Sequence, residues 1–378
     1  MVNTSLLSKE ELFINSFRDK DIILALSKKI QKEATKLKDK IYLMEVCGGH
    51  THTLMKYGLT TLLPDAIECV HGPGCPVCIM PKNRINQAYE IAMQEDVILL
   101  TLGDMMKVPG TYGNLLDARS KGANIKFLYS PKEALEIAKS NPSKKVVYFA
   151  IGFETTTPMT ASLLQNAIDE KIQNLFFHIN HVLVPPPLHA ILSSKDSKIN
   201  ALLAPSHVSV ITGSKIYQEI FETYQIPIVV SGFEPVDMME SILRITNQFT
   251  SMSPQLEVEY ARAISHQGNL KAQSLVDKFM QTRDNFEWRG LGNIPHSALK
   301  LRDEYESFDA EKIFDSILSK DSIKDNRACR CGDILKGVAK PYDCKVFGKS
   351  CTPQNPLGSC MVSSEGACAA YYKYGSLR

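Results

Sequence analysis

Short apolar runs alternate along this chain with segments whose hydrophobic positions recur at helical spacing. Ile22, Ile23, Leu26 and Ile30 share one side of a Lys-rich stretch and predict one or two amphipathic helices within residues 1–40. Ile41–Val46 then reads as a buried strand bounded by glycines. A short helix around Leu54–Tyr57 follows, with a strand at Ala66–Val70, a helix at Asn83–Met93 and a strand at Asp96–Leu102. A helix at Asn114–Lys121 leads to a strand at Ile125–Tyr129. The order then restarts, with a helix at Pro131–Ser140, a strand at Lys145–Gly152 and a helix from Pro158 to Glu170. Strands are expected at Leu175–Ile179, Ser209–Thr212 and Ile226–Ser231, with a helix at Ser214–Tyr224. Apolar strands alternating with helices imply parallel sheets of βαβ units.

Gly-Phe-Glu follows an apolar strand twice, at 152–154 and 232–234. Together with the restart, this points to an α/β fold of two similar lobes with parallel β-sheets flanked by helices, 40–130 and 131–250, split near Tyr129 to Lys132. Helices are expected to dominate beyond Asp237, at Leu256–Ile264 and Leu270–Thr282, with Trp288 opening a loop. After Lys324 the texture turns to Cys, Gly and Pro, too sparse to build a core without a metal or disulfides.

A length of 378 residues fits two or three domains, and 44% hydrophobic residues are enough for real cores. The net charge of +2 argues against a nucleic-acid surface. The first residues lack the pattern of a signal peptide, and apolar runs such as Val146–Phe153 are too short to cross a bilayer. A cytoplasmic protein with no membrane or nucleic-acid partner is expected. Of ten cysteines, four lie between 47 and 78, six between 329 and 368, and none from 79 to 328. In a reducing compartment such clusters bind metals or do redox chemistry more often than they form structural disulfides.

Cys47 stands at the tip of the first strand, where Gly48 and Gly49 permit a tight turn and His50 and His52 follow. This suits a metal or thiolate site; a buried cysteine in a Gly-rich turn is the plainer alternative. Gly72-Pro-Gly-Cys75-Pro-Val-Cys78 has no matching second pair for a zinc site, which favours a redox or metal-holding dithiol. The tail spacing Cys329-x-Cys331-x12-Cys344-x6-Cys351-x8-Cys360-x7-Cys368 has neither zinc-ribbon knuckles nor a bacterial ferredoxin run. Four of its six thiolates suit an iron–sulfur cluster or zinc, and spacing leaves both open. Gly152-Phe-Glu154-Thr-Thr-Thr-Pro158 reads as strand, turn and helix start, able to hold an anion or a partner's carboxylate, or simply to cap. His178, His181, His189 and His207 carry no assigned role.

Met-Glu-Val-Cys47-Gly-Gly-His-Thr-His, Gly-Pro-Gly-Cys75-Pro-Val-Cys78, Gly-Phe-Glu-Thr-Thr-Thr-Pro158 and the stretch from Cys351 through Cys360 to Cys368-Ala-Ala-Tyr-Tyr together resemble the HypD family of NiFe-hydrogenase maturation proteins. The likeness runs from about residue 40 to the C-terminus and departs at no motif cysteine. It implies an iron-binding, redox-active scaffold that works with a small partner, HypC, to assemble the Fe(CN)2CO unit, with HypE supplying cyanide. It implies that Cys47 holds the iron with His50 close by, and that Cys75 and Cys78 are a redox or metal-binding pair. In the tail, Cys329, Cys344, Cys351 and Cys368 would ligate a 4Fe–4S cluster, leaving Cys331 and Cys360 as a second dithiol or disulfide. A third, mostly helical or irregular domain, formed by 1–39 and 251–378, would carry the cluster.

A soft thiolate suits low-spin Fe(II) bearing cyanide and CO, and ligand transfer from a thiocyanate-type donor needs electrons. Gly48, Gly49, Gly72 and Gly74 are expected to leave room for diatomic ligands and a partner's thiolate, and Glu154 to orient a ligand or partner. The role of His52 stays open. A stand-alone iron–sulfur thiol–disulfide oxidoreductase is the alternative, using the same cysteines without iron at Cys47. A metal-stapled structural or nucleic-acid-binding module is disfavoured by the near-zero net charge and the thiol pair at 75 and 78.

Overall fold

Two parallel sheets carry the molecule, and a computed structural model describes residues 15–323 and 325–375 of it. The first sheet has the order β2-β1-β7-β8-β9, from Ile67–His71, Ile41–Glu45, Ala201–Pro205, Ile228–Ser231 and Leu256–Val258. The second has the order β4-β3-β5-β6, from Ile125–Phe127, Val97–Thr101, Lys145–Gly152 and Leu175–His181. All pairings within both are parallel, and helices flank them, so the α/β class with two similar lobes holds. The strands β3, β5, β6, β7 and β8 are buried along almost their whole length, as sheets covered on both faces require.

The strands do not sort at residue 130. The chain makes β1 and β2, leaves to build the whole second sheet, and returns at β7 to pair with β1. β3 pairs with β5 across the expected boundary, because a parallel sheet is ordered by crossovers rather than by chain position. Ser209–Thr212, expected as a strand, lies in the helix Ser206–Thr212, and β7 precedes it. The hydroxyls of Ser209 and Thr212 donate to the carbonyls of Pro205 and Val208, satisfying themselves within the helix despite its β-branched residues. Leu256–Ile264, expected as a helix, instead opens with β9, which takes the open edge beside β8. Trp288 ends the first strand of an antiparallel hairpin, Asn285–Trp288 with Gly292–Pro295, rather than opening a loop.

Before the sheets, the helix Lys20–Ala34 is capped by the Asp19 side chain and buries Ile23 and Ile30. The part of the expected N-terminal helical region before residue 15 lies outside the described residues. Among the described residues, the tail has no large core of its own. Ile334, Leu335, Met361 and five of its cysteines join the principal core or its border, and Ala370 and Tyr371 pack on Met55. Among the described residues, no helix is long and apolar enough to cross a membrane.

Candidate functional site

The C-terminal ends of the strands of both sheets face a shared cleft of about 490 Å³, the usual position of a ligand site in open α/β sheets. Cys47 follows β1 into its wall, Gly74, Pro76 and Val77 come from the loop after β2, and Gly103 and Asp104 follow β3. Gly152 and Thr155 come from the end of β5, His207 follows β7, and Ser363 to Glu365 come from the tail.

Cys47 occupies the N-cap position of the helix Gly48–Lys56 with extended backbone. Burial first, then the negative charge of Glu365, push its thiol up to about 12, against the backbone N–H groups of Gly49 and His50, which favour the thiolate. His50 is fully buried and stacked on Phe233 at 4.4 Å. Its Nε2 lies 3.3 and 3.2 Å from the carbonyls of Ser231 and Gly232, so Nε2 carries the hydrogen and Nδ1 keeps a lone pair without a donor. Burial lowers its pKa to about 4, so the ring is neutral at neutral pH. His52 turns the other way: its Nδ1 donates to the Ser364 carbonyl at 3.3 Å and its ring meets Tyr374 edge-on. It clamps the tail.

The expected room around the glycines is taken by protein. A Cβ on Gly48 would stand 2.1 Å from the Glu365 carbonyl oxygen, and one on Gly49 2.7 Å from the Phe233 ring. On Gly72 it would meet the Glu45 carbonyl at 3.0 Å, and on Gly74 the Val46 carbonyl at 1.8 Å. These glycines bring four segments together around Cys47; the open volume lies beyond them, in the cleft.

Cys75 and Cys78 are joined as a disulfide, with Cα atoms 5.2 Å apart, and both are buried. In this oxidised form neither sulfur is a thiolate, so a metal-holding role belongs to the reduced pair only. Glu154 is buried at the end of β5, where Oε1 accepts the Val184 N–H at 2.9 Å and Oε2 has no partner. Burial raises its pKa to about 7, so the carboxyl is half protonated at neutral pH.

All six tail cysteines are buried or half-buried. The thiols of Cys329, Cys331 and Cys360 hydrogen-bond in a row. Burial, then the neighbouring Cys331, Cys329, Cys351 and Cys344, hold Cys368 well above the ordinary thiol value. The expected Cys331 and Cys360 pair is adjacent, but Cys329 shares the same row, so ligands and dithiol are not segregated. As a donor set the group suits a soft metal or cluster: bound iron would remove the mutual repulsion of buried thiolates. Gly358 contributes, since a Cβ there would stand 2.5 Å from Cys329 Sγ. Among the described residues, no three His, Cys, Asp or Glu side chains are already gathered to hold a metal ion.

Sequence reasoning missed several residues of this site. Glu365 reaches Cys47 from the far end of the chain, and His207 and Phe233 form a ring stack with His50 below the cleft. Tyr217 is fully buried, its hydroxyl beside Ser209 and within electrostatic reach of Glu154 and Cys47. Only Glu365 and Phe233 lay inside motifs that the sequence had singled out.

A family model described as "HypD: Hydrogenase formation hypA family" matches residues 21–375. The chain is 47% identical over 373 residues to the hydrogenase maturation factor HypD2 of Bradyrhizobium diazoefficiens, with 97% of each chain covered. It is 42% identical over 376 residues to HypD of Rhodobacter capsulatus, covering 97% of this chain and 99% of that one. With HypD of Escherichia coli it shares 41% identity over 366 residues, 96% of this chain and 98% of the other. The cleft between two parallel sheets, with Cys47 in its wall and the joined Cys75 and Cys78 beside it, is therefore that of a hydrogenase maturation factor, and the chain belongs to the HypD family.

Proposed function

We propose that this protein is an iron-binding, redox-active scaffold that, together with HypC, assembles the Fe(CN)2CO unit, with cyanide supplied by HypE. The observation that carries the reading is the placing of Cys47 in the cleft wall, beside the loop that holds the Cys75–Cys78 disulfide. Iron is the cargo here. A thiol held near 12 stays protonated until a cation replaces the proton, so the site is inert alone and becomes a thiolate ligand on taking Fe(II). The Gly49 and His50 N–H groups then stabilise the sulfur charge, and His50 Nδ1 offers a neutral lone pair nearby. Val46, Val77, Ile151 and Val184 line the cleft and keep much of its wall apolar, which limits water around the cargo.

Cys329, Cys344, Cys351 and Cys368 are the proposed ligands of a 4Fe–4S cluster, which supplies single electrons when bound. Cys331 and Cys360 are the proposed second dithiol. Glu154, with an unpaired Oε2 below the cleft, is the proposed group that orients cargo or partner. A stand-alone thiol–disulfide oxidoreductase uses the same thiols but gives no reason for Cys47 at the cleft.

Infrared spectroscopy of the anaerobic complex with HypC tests the reading. Cyanide and CO stretching bands are expected in the wild type, and Cys47→Ala should abolish them while leaving the brown cluster colour. Full maturation by Cys47→Ala would refute the iron site, and a colourless protein with stoichiometric zinc would refute the cluster.

A further inference from the structure

A net charge near zero conceals an uneven distribution. Residues 325–378 hold eight Lys or Arg against four Asp or Glu, while the whole chain nets +2, so the first 324 residues are net negative. Within the tail, Arg327, Lys345 and Lys349 each stand within two residues of a cysteine. The Cys344 thiol donates to the Ala328 carbonyl at 3.7 Å, which brings the segments 327–329 and 343–345 together. Lys349 sits in the following turn, closed by the Cys351 N–H on the Val346 carbonyl at 2.9 Å. Arg327, Lys345, Lys349 and Lys373 are exposed, and none is in an ion pair with a described acid, whereas Arg330 and Lys340 are engaged by Asp333 and Glu68. Asp343, the acid within this segment, is turned onto the Lys340 backbone N–H at 2.8 Å.

A second feature lies among the same residues. Tyr342, Phe347 and Tyr372 form an edge-to-face ladder with centroids 5.5 and 6.3 Å apart. Tyr342 is 47% and Tyr372 42% exposed, so the ladder is not a sealed core. Exposed aromatic rings beside a preponderance of cations, with Asp343 the acid among them, are the anatomy of a protein interface rather than of a solvated tail. That charge fixes the partner's sign and speeds its encounter.

We propose that this face docks a small acidic protein that carries electrons one at a time, and that reducing equivalents enter the molecule here. The proposal rests on the redox part of the reading above. Cys329 is half-buried and Cys344 and Cys351 are buried, close in the chain to Arg327, Lys345 and Lys349, and the same tail reaches the disulfide loop, where the Ser359 hydroxyl donates to the Cys78 carbonyl. Reducing the Cys75–Cys78 disulfide to two thiols consumes two electrons and two protons. Two carrier molecules are each oxidised by one electron, and the protons come from solvent.

The test uses the full-length anaerobic protein and, as probe, a reduced 2Fe–2S ferredoxin with an acidic surface. Binding to the wild type should weaken steeply with salt. The double variant Lys345→Glu/Lys349→Glu should slow ferredoxin-driven appearance of alkylatable Cys75 and Cys78 by about tenfold or more. A phosphine reductant should free the same thiols at equal rates in both proteins, which reports an intact fold. Absence of ferredoxin binding, or equal ferredoxin-driven rates in both proteins, overturns the proposal. Equal affinity for heparin or serum albumin also overturns it, since the face is then a general anion surface. Iron and acid-labile sulfide in the same samples report the cluster separately: a protein lacking both that still docks ferredoxin by charge supports the face and refutes the cluster.

Discussion

Glu45 on β1 and His71 on β2 are register partners, and their buried side chains meet directly below the two cysteine-bearing strand tips. Glu45 stands two residues before Cys47, and His71 is followed by the loop that carries Cys75 and Cys78. Thr51 Oγ1 meets His71 Nδ1 at 3.3 Å, and the His71 ring lies edge-on to Tyr371, tying the Cys47 helix and the tail to the same pair. Removing one partner of a buried polar pair leaves the other without its contact. His71→Ala is expected to cost about 3 kcal/mol or more in urea denaturation, and the double variant with Glu45→Gln to recover part of it. Independent, additive losses would show that the pair does not act as a unit.

Glu154 makes stability depend on pH with a definite sign. Its pKa is raised from 4.5 to about 7, chiefly by burial, so in that window the folded protein keeps a proton that the unfolded chain has released. Stability therefore falls as pH rises through the window, by about 3 kcal/mol from this group. Glu154→Gln, which keeps an acceptor for the Val184 N–H, should gain on the wild type between about pH 5 and about pH 8. Comparing the two proteins isolates Glu154 from Glu259, which is raised to about 7 as well.

The reactivity of Cys47 should follow the charge of Glu365. With the thiol at about 12, iodoacetamide alkylation at neutral pH is expected to be slow. Glu365→Gln removes the second cause of that elevation, so alkylation should accelerate several-fold. An unchanged rate would place burial alone in control.

The close approaches around Cys47 predict graded effects of added methyl groups. Gly49→Ala drives a Cβ to 2.7 Å from the Phe233 ring, and overpacking of this kind costs about 1–3 kcal/mol. Gly74→Ala meets the Val46 carbonyl at 1.8 Å, which cannot yield without moving β1, and is expected to lower the melting temperature more. Gly103→Ala, in the same cleft wall with nothing within 4 Å, should be nearly silent.

Glu311 holds two buried guanidinium groups. Arg84 donates to its two oxygens at 2.7 and 2.8 Å, Arg283 forms a second ion pair with it, and Arg84 also reaches the Ile179 carbonyl on β6 at 2.8 Å. Glu311→Ala leaves both cations uncompensated and should destabilise the protein by about 3–5 kcal/mol, read by denaturant unfolding. A smaller loss than that of a surface control such as Glu136→Ala would refute the role.

Local pattern determined much of this protein. Periodicity placed Lys145–Gly152 and most helices, because a buried parallel strand is an unbroken apolar run and an amphipathic helix repeats on one side. It failed at Ser209–Thr212, where β-branched residues sit in a helix, since hydroxyl bonds to the preceding turn and the demands of β7 outweigh intrinsic preference. The cysteine distribution and the motifs at 47, 75–78 and 152–158 marked the cleft, because sulfur chemistry and tight turns are written in residue type and spacing. Only the tertiary structure decided that β1 pairs with β7, that Glu365 raises Cys47, and that the glycines admit neighbouring chain rather than ligands. Those relations join residues far apart in sequence, and charge, burial and steric approach depend on distance in space, which spacing along the chain does not encode.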